Sequence, residues 1–419
     1  MAPAENGAKV DRDTLVADLR RVLPADAVLD RAEQLRPYEC DGLSAYRQLP
    51  LAVALPGDVD QVAAVLAVCR RHGAPIVARG SGTSLSGGAL PHPDGVVVSL
   101  AKLNRILAID PANRTARVQP GVRNLAISEA ARPHGLYYAP DPSSQIICSI
   151  GGNVAENAGG VHCLKYGLTV HNVIAVELLT IDGERLTVGG DGPDSAGYDL
   201  LALVIGSEGM LGVVTEVTVK LLPLPACARV VLGAFASIPE AGEAVSRIIA
   251  AGITPGGLEM MDGPAIQAAE DFVHAGYPTD AAAILLCELD GTEEEVDAQI
   301  EEVRELMEAC GASEVRIARD ERERALFWSG RKNAFPAVGR VAPDYYCMDG
   351  TIPRRHLARV LEGITALSEE YGLPVANVFH AGDGNLHPLI LYDANRPGEL
   401  ERTEELGGKI LELCVEVGG

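Results

Sequence analysis

Three glycine-dense stretches dominate the first half of the sequence: "ARGSGTSLSGG" from Ala78, "SIGGNVAENAGG" from Ser149 and "GSEGMLGVV" from Gly206. Glycine weakens the interior of helices and strands, yet it lets the backbone turn through positive φ and approach a ligand closely. A chain with three such runs before Val214 must therefore build small frames of helix and strand around loops.

In the first run, Gly80 and Gly82 begin a G-x-G-x-x-G pattern, but its third glycine falls on Leu85, and the Gly-Lys-Ser/Thr of a Walker loop is absent. Both standard nucleotide loops are excluded. What remains is a run of small residues after the strand "APIVA", with N–H groups able to converge on an anion and hydroxyls on Ser81, Thr83 and Ser84. A pyrophosphate fits such a loop, and so does plain solvent at a surface turn. The second run adds Gly151, Gly152, Gly159 and Gly160 beside the amides of Asn153 and Asn157, a composition suited to a flat ring lying against main chain. The third places Glu208 to accept hydrogen bonds. Together they suit one long ligand threaded between two small subdomains.

Around these loops the elements are short. "DRDTLVADLRRVLP" spells an amphipathic helix ending at Pro24, and "DVDQVAAVLAVCRRHG" an Asp-capped helix closed by Gly73. From 139 to 167 regular periodicity disappears, which in a compact domain marks a functional segment. "HNVIAVELLTIDGERLTVGG" is expected to form a hairpin turning at Asp182-Gly183. The prolines of "LLPLP" (221–225) set a boundary, after which strands and helices alternate. Helices between strands of a largely one-sided sheet predict a ferredoxin-like α+β second domain. With 47% hydrophobic but only 4% aromatic residues, the cores must rest on Ala, Val, Leu and Ile.

A net charge of −23 with no basic block excludes nucleic acid and anionic membrane surfaces as partners, so an anionic substrate requires a local cation. The nine cysteines are odd in number and never Cys-x-x-Cys, which points away from disulfides, iron–sulfur and zinc–thiolate sites and toward a reducing compartment. No apolar run approaches the roughly eighteen residues of a membrane span and no leader-like segment opens the chain, so the expected location is the cytoplasm, without direct membrane insertion. "FWSGRKNAFPA" supplies Arg331 at a helix end; it is either a solvated charge or the planar fork that binds a carboxylate. "VFHAGDGNLHPLI" reads as a hairpin that brings His380 and His387 together, either to hold a metal or merely to border a turn.

Taken in order, "PIVARGSGTSLSGGAL", "PDPSSQIICSIGGNVAENAGG", "GSEGMLGVVTEV" and "HAGDGNLHP" resemble the FAD-linked oxidases of the vanillyl-alcohol-oxidase type over roughly residues 35–419. The nearest branch contains glycolate oxidase catalytic subunits and the FAD-dependent D-lactate and D-2-hydroxyglutarate dehydrogenases. The opening amphipathic helix reads as an N-terminal arm (1–44), and the resemblance implies a two-subdomain FAD-binding domain (45–226) and a ferredoxin-like α+β substrate domain (227–419). It implies that Arg79, Gly80, Ser81, Gly82, Thr83 and Ser84 hold the FAD pyrophosphate, that Pro140, Asp141, Ser144, Gly152, Asn153, Asn157 and Gly159 line the flavin, and that Glu208, Gly212 and Val213 adjoin the adenosine half. The flavin is expected to be non-covalent, because the context of His162 does not match a flavinylation motif. Arg331 is expected to bind the carboxylate of a small D-2-hydroxy acid, glycolate or D-lactate. His380 and His387 are expected to hold a divalent metal, zinc before manganese or iron, with Asn385 and His387 acting on substrate.

The same resemblance implies a "GEHG" motif, supplying a third ligand and a base, just after a helix-ending Gly-Gly; the sequence stops at Gly418-Gly419 and contains no such motif. The expectation is a chain that binds FAD but oxidises substrate poorly, cut from a longer polypeptide. The competing reading is a flavin-binding, catalytically weak subunit of an oxidase complex; a metal hydrolase leaves all three glycine loops unexplained. Electrons are expected to pass to flavin or iron–sulfur partner subunits or to a quinone, with the chain held peripherally at the inner face of the membrane through such partners.

Overall fold

A computed structural model describes residues 10–192 and 197–419. Contacts divide the chain into two compact units: one comprises the chain up to Gly160 together with Gly167–Leu224, the other Val161–Tyr166 and Pro225–Gly419.

The first unit holds two main sheets. In the smaller, the strands run in the order Val28–Leu29, Ala52–Ala54, Val96–Ser99 and Ile76–Arg79, the last three mutually parallel. The helix Val59–His72 starts where Asp58 accepts the Gln61 N–H at 2.8 Å and stops where Gly73 turns left-handed. Its apolar stripe, Val62, Val65, Leu66 and Cys69, packs with Leu15, Val16 and Leu19 of the helix Arg12–Val22 over this sheet. The larger sheet is antiparallel, in the order Ile106–Asp110, Thr115–Val118, Val213–Lys220, Val173–Leu179 and Arg185–Gly189; the last two form the expected hairpin. Segment 139–167 is not without structure, since it carries the short helices Ile150–Glu156 and Cys163–Tyr166. Periodicity fails there because glycine serves proximity: a Cβ on Gly151 would lie 2.5 Å from Pro120 Cβ.

The second unit is an antiparallel sheet in the order Glu314–Ile317, Cys227–Phe235, Ala283–Gly291, Gly257–Asp262, Val375–His380, Asn385–Tyr392 and Asp344–Cys347. Helices cover both faces, where a largely one-sided sheet was expected. Leu285 and Cys287 pack with helices Ile238–Ala250 and Glu293–Ala309, whereas Ile284 and Leu286 pack with Gly263–Val273 and Glu321–Lys332. The physical reason lies in the run "AAAILLC": a strand buried on both faces has no polar alternation.

Segment Val161–Tyr166 is tied to this sheet by two buried carboxylates. Glu288 pairs with His162 Nε2 at 2.9 Å and Arg324 Nη1 at 2.6 Å and accepts from Trp328 Nε1; Asp290 pairs with Lys165 Nζ at 2.5 Å and accepts from Tyr166 Oη. Burial alone would raise the Glu288 pKa, but the His162 hydrogen bond and charge, Arg324 and Trp328 bring it down to about 2. A carboxylate depressed on folding stabilises the fold above its unfolded value and loses that contribution as pH falls through the folded one. Glu288→Gln is therefore expected to cost about 3 kcal/mol at neutral pH, with the deficit narrowing between pH 4.5 and about 2. Denaturant unfolding followed by the fluorescence of Trp328, the single tryptophan, measures this difference against pH.

Candidate functional site

In the first unit, loop 80–88 leaves the carboxyl end of a parallel strand, where open α/β sheets bind ligands. Arg79 is 8% exposed; its guanidinium donates to the Cys40 carbonyl at 2.7 Å, and Gly82, at φ +70°, lies against it so closely that a Cβ would fall 2.2 Å from Nη2. Arg79 thus braces the loop from beneath. Ser84 and Ser86 both donate to Glu156, each at 3.0 Å, so the Ser84 hydroxyl is engaged rather than free for an anion. Burial pushes the Glu156 carboxyl up, against the two serine hydroxyls, and a carboxyl shifted toward its neutral form repels an anion in that loop less. Ser81 is exposed, and Thr83 is half-buried.

The second glycine run meets the first at Ser149. Its Oγ is buried without a hydrogen-bond partner, and a Cβ on Gly80 would lie 2.2 Å from it. Asn153 donates to Asn124 at 2.9 Å, and Asn124 donates to the Pro140 carbonyl at 2.9 Å, which fixes the buried Pro140 and Asp141. A Cβ on Gly160 would sit 2.5 Å from the Asp141 carbonyl carbon. The Ser144 carbonyl accepts the Cys148 N–H at 2.8 Å, and Gly159 is half-buried. Asn157 and Glu208 both adopt positive φ, and the Glu208 N–H reaches Ala155 O at 2.8 Å, so the third run folds back on the second. Gly212 passes 2.8 Å, at its would-be Cβ, from Leu179 O, while the Val213 side chain belongs to the core. A closed set of glycine approaches around an orphaned hydroxyl fits a bound dinucleotide anion.

In the second unit, strand register assembles the site. Glu259 pairs with His380, His380 with Asn385, and Val378 with His387. Because alternate strand residues share a face, Glu259, His380, Asn385 and His387 all project to one side. Turn residue Gly384, at φ +85°, admits no side chain, since a Cβ would come within 2.2 Å of Ile352 O. Arg331, 1% exposed in the last turn of Glu321–Lys332, meets Glu259 Oε2 at 2.6 Å. The other oxygen, Glu259 Oε1, lies 2.7 Å from His380 Nδ1. The imidazoles of His380 and His387 stand 5.0 Å apart and nearly perpendicular, with the Phe335 ring 6.0 Å beyond.

Burial would lower the pKa of His380, but the Glu259 charge and hydrogen bond reverse the direction and raise it. Burial, with the charges of His380 and Arg331, holds His387 well below the usual imidazole range, hence neutral. The Arg331–Glu259 approach is close but poorly aligned for a hydrogen bond, and all three guanidinium nitrogens lack acceptors; so does the buried Oδ1 of Asn385. Lys332 lies instead over the Trp328 ring. A cavity of about 690 Å³ opens on the other side of the turn, lined by Leu164, Ser246, Arg354 and Asp383 but by neither imidazole. Among the described residues no cluster of three or more His, Cys, Asp and Glu is arranged to hold a metal, and the two imidazoles stand as a pair.

The family described as FAD linked oxidases, C-terminal domain, matches residues 224–419, and the one described as FAD binding domain matches residues 50–189. The chain belongs to the FAD-linked oxidases. It is accordingly an FAD-dependent oxidoreductase, and its α+β architecture is of the vanillyl-alcohol-oxidase type. Glycolate oxidase subunit GlcD of Escherichia coli (strain K12) is 67% identical over 410 residues, covering 98% of this chain and 82% of that protein. A D-lactate dehydrogenase of Anaerostipes hadrus is 32% identical, covering 96% and 85%. The solved p-cresol methylhydroxylase with substrate bound shares the fold, with a TM-score of 0.79 at 19% identity over 96% of this chain and 87% of that one.

Sequence reasoning named Arg331, Asn385 and the two histidines but passed over Glu259, Phe335 and Glu156. For Glu259 a signal existed: an acid inside the apolar run "GGLEMM" has no reason to be buried without a partner. The glycine geometry yields a prediction. Gly160→Ala must push main chain off main chain, so the purified FAD-linked oxidase should carry at most half the wild-type flavin per chain; Gly190→Ala, whose Cβ meets nothing within 4 Å, should carry a normal load. Absorbance of flavin against protein decides it.

Proposed function

We propose that this FAD-linked oxidase converts a small D-2-hydroxy acid, glycolate or D-lactate, to the 2-oxo acid. The observation that carries the reading is Arg331: a fully buried guanidinium with unanswered N–H groups, on one face with two imidazoles. In a chain of net charge −23 this is the local cation an anionic substrate requires, and its planar fork matches a carboxylate. The relatives named glycolate oxidase subunit and D-lactate dehydrogenase support the substrate class.

Oxidation removes the Cα hydrogen with its electron pair and the hydroxyl hydrogen as a proton, leaving a C=O bond. FAD, when bound, takes up that hydride equivalent at N5. Arg331 fixes the carboxylate and so the direction in which the Cα–H points. Asn385 Oδ1, buried without a partner, accepts the substrate hydroxyl's hydrogen bond. His380 presents Nε2, since Nδ1 faces Glu259, and neutral His387 keeps a ring lone pair. The two imidazoles are a partial ligand set for a divalent cation, zinc before manganese or iron, which would supply charge to polarise the hydroxyl. The residues proposed along FAD are Arg79 to Ser84, the 140–159 set named above, and Glu208, Gly212 and Val213.

The word "subunit" in the names of relatives supports electron transfer to flavin or iron–sulfur partner chains, or to a quinone, in a peripheral complex. No helix among the described residues is long and apolar enough to cross a membrane, and all nine cysteines are free, which favours a reducing, cytoplasmic setting.

Arg331→Lys keeps the charge and loses the fork. It is expected to lower kcat/KM for glycolate and D-lactate by about tenfold or more with flavin content unchanged, measured with a dye acceptor. Kinetics equal to wild type would remove Arg331 from the site.

A further inference from the structure

We propose that Glu259 is a positioning residue that sets both halves of the substrate site, holding Arg331 through one carboxylate oxygen and His380 through the other. The inference rests on the reading above that Arg331 anchors a carboxylate and His380 faces a cation.

The geometry is specific. Glu259 is 1% exposed on a central strand, and its register partner across the ladder is His380 itself. Oε1 takes His380 Nδ1 at 2.7 Å, and Oε2 lies 2.6 Å from Arg331 Nη2. Neither contact duplicates the other. A carboxylate on Nδ1 fixes the imidazole tautomer and ring angle and leaves Nε2 as the outward lone pair, the arrangement that outer-shell carboxylates impose on metal-binding histidines. The ion pair holds the guanidinium by one nitrogen and leaves the rest of the fork available.

Comparison with Asp262, three residues along, shows what a purely structural buried acid looks like. Its Oδ1 caps a helix at the Ala265 N–H, and its Oδ2 accepts two hydrogen bonds from Asn377, so its partners are spent on the fold. Glu259 has only partners that face the site. A buried carboxylate between a guanidinium and an imidazole is rarely worth its desolvation as a stabiliser, and a hydrophobic set of the same volume would serve the fold as well. Its presence in the apolar strand is explained by positioning.

The test measures Zn²⁺ affinity, by chelator competition, on FAD-loaded protein, together with KM and kcat. Glu259→Gln keeps shape but cannot serve both partners. It is expected to weaken Zn²⁺ binding about 10- to 100-fold and to raise KM for D-lactate about tenfold or more, with flavin content unchanged. Should Glu259→Gln fold poorly because Arg331 is left uncompensated, the double variant Glu259→Gln/Arg331→Met removes both charges, and its Zn²⁺ affinity is compared with that of Arg331→Met alone. The same 10- to 100-fold loss is expected there. Equal Zn²⁺ affinity within either comparison overturns the proposal. His380→Ala separates the two claims: wild-type Zn²⁺ affinity in that variant overturns the cation reading, and the positioning of His380 falls with it. Zn²⁺ lost in His380→Ala but kept in Glu259→Gln overturns the positioning role alone.

Discussion

The register of three antiparallel strands is the constraint on which the second unit's chemistry depends. Glu259, His380, Asn385 and His387 share a face only because Gly257–Asp262, Val375–His380 and Asn385–Tyr392 pair as they do. A slip of one residue would turn every one of them to the opposite face, into the apolar layer of helices Ile238–Ala250 and Leu357–Tyr371. The tight turn through Gly384, closed by its N–H to His380 O at 3.0 Å, pins that register from one end. Two-sided burial pins it from both faces.

Charge is concentrated where the sheet is driest. Arg331 and Glu259 are each 1% exposed, and His380 completes the row. Such a triad contributes little net stability, because the desolvation of each member offsets most of the attraction. It also leaves guanidinium N–H groups and the Asn385 carbonyl unanswered, each costing about 1–3 kcal/mol while no ligand meets them. The first unit shows the same trade in milder form at Ser149 Oγ, beside a loop whose glycines leave no room for a Cβ. Both units hold polar atoms that a bound molecule would satisfy.

Much of this was legible in the amino-acid order. Capping residues Asp58 and Gly73, the 173–189 hairpin and the histidine hairpin follow from local chemistry, because their determining contacts lie within a few residues. The glycine runs announced close approaches, though not that Ser84 would be engaged by Glu156 or that Arg79 would turn beneath its own loop. What stayed hidden is long-range. Glu259 lies 121 residues from His380, and no periodicity announces which strand a given strand will pair with. The anchoring of Val161–Tyr166 by Glu288 and Asp290, across 124 to 126 residues, was hidden for the same reason.

The central claim is that Arg331 and the histidine face receive a 2-hydroxy acid. Oxalate mimics the carboxylate and oxygenated carbon of such a substrate but has no hydrogen to give, so a crystal structure of the FAD-loaded protein with oxalate tests the claim most directly. The account predicts one carboxylate of oxalate on the Arg331 guanidinium and the other, through a divalent cation supplied with it, on the two imidazoles. Oxalate bound instead among Arg354, Arg355 and Asp383 in the cavity beyond the turn, with the Arg331 N–H groups still unanswered, would contradict it.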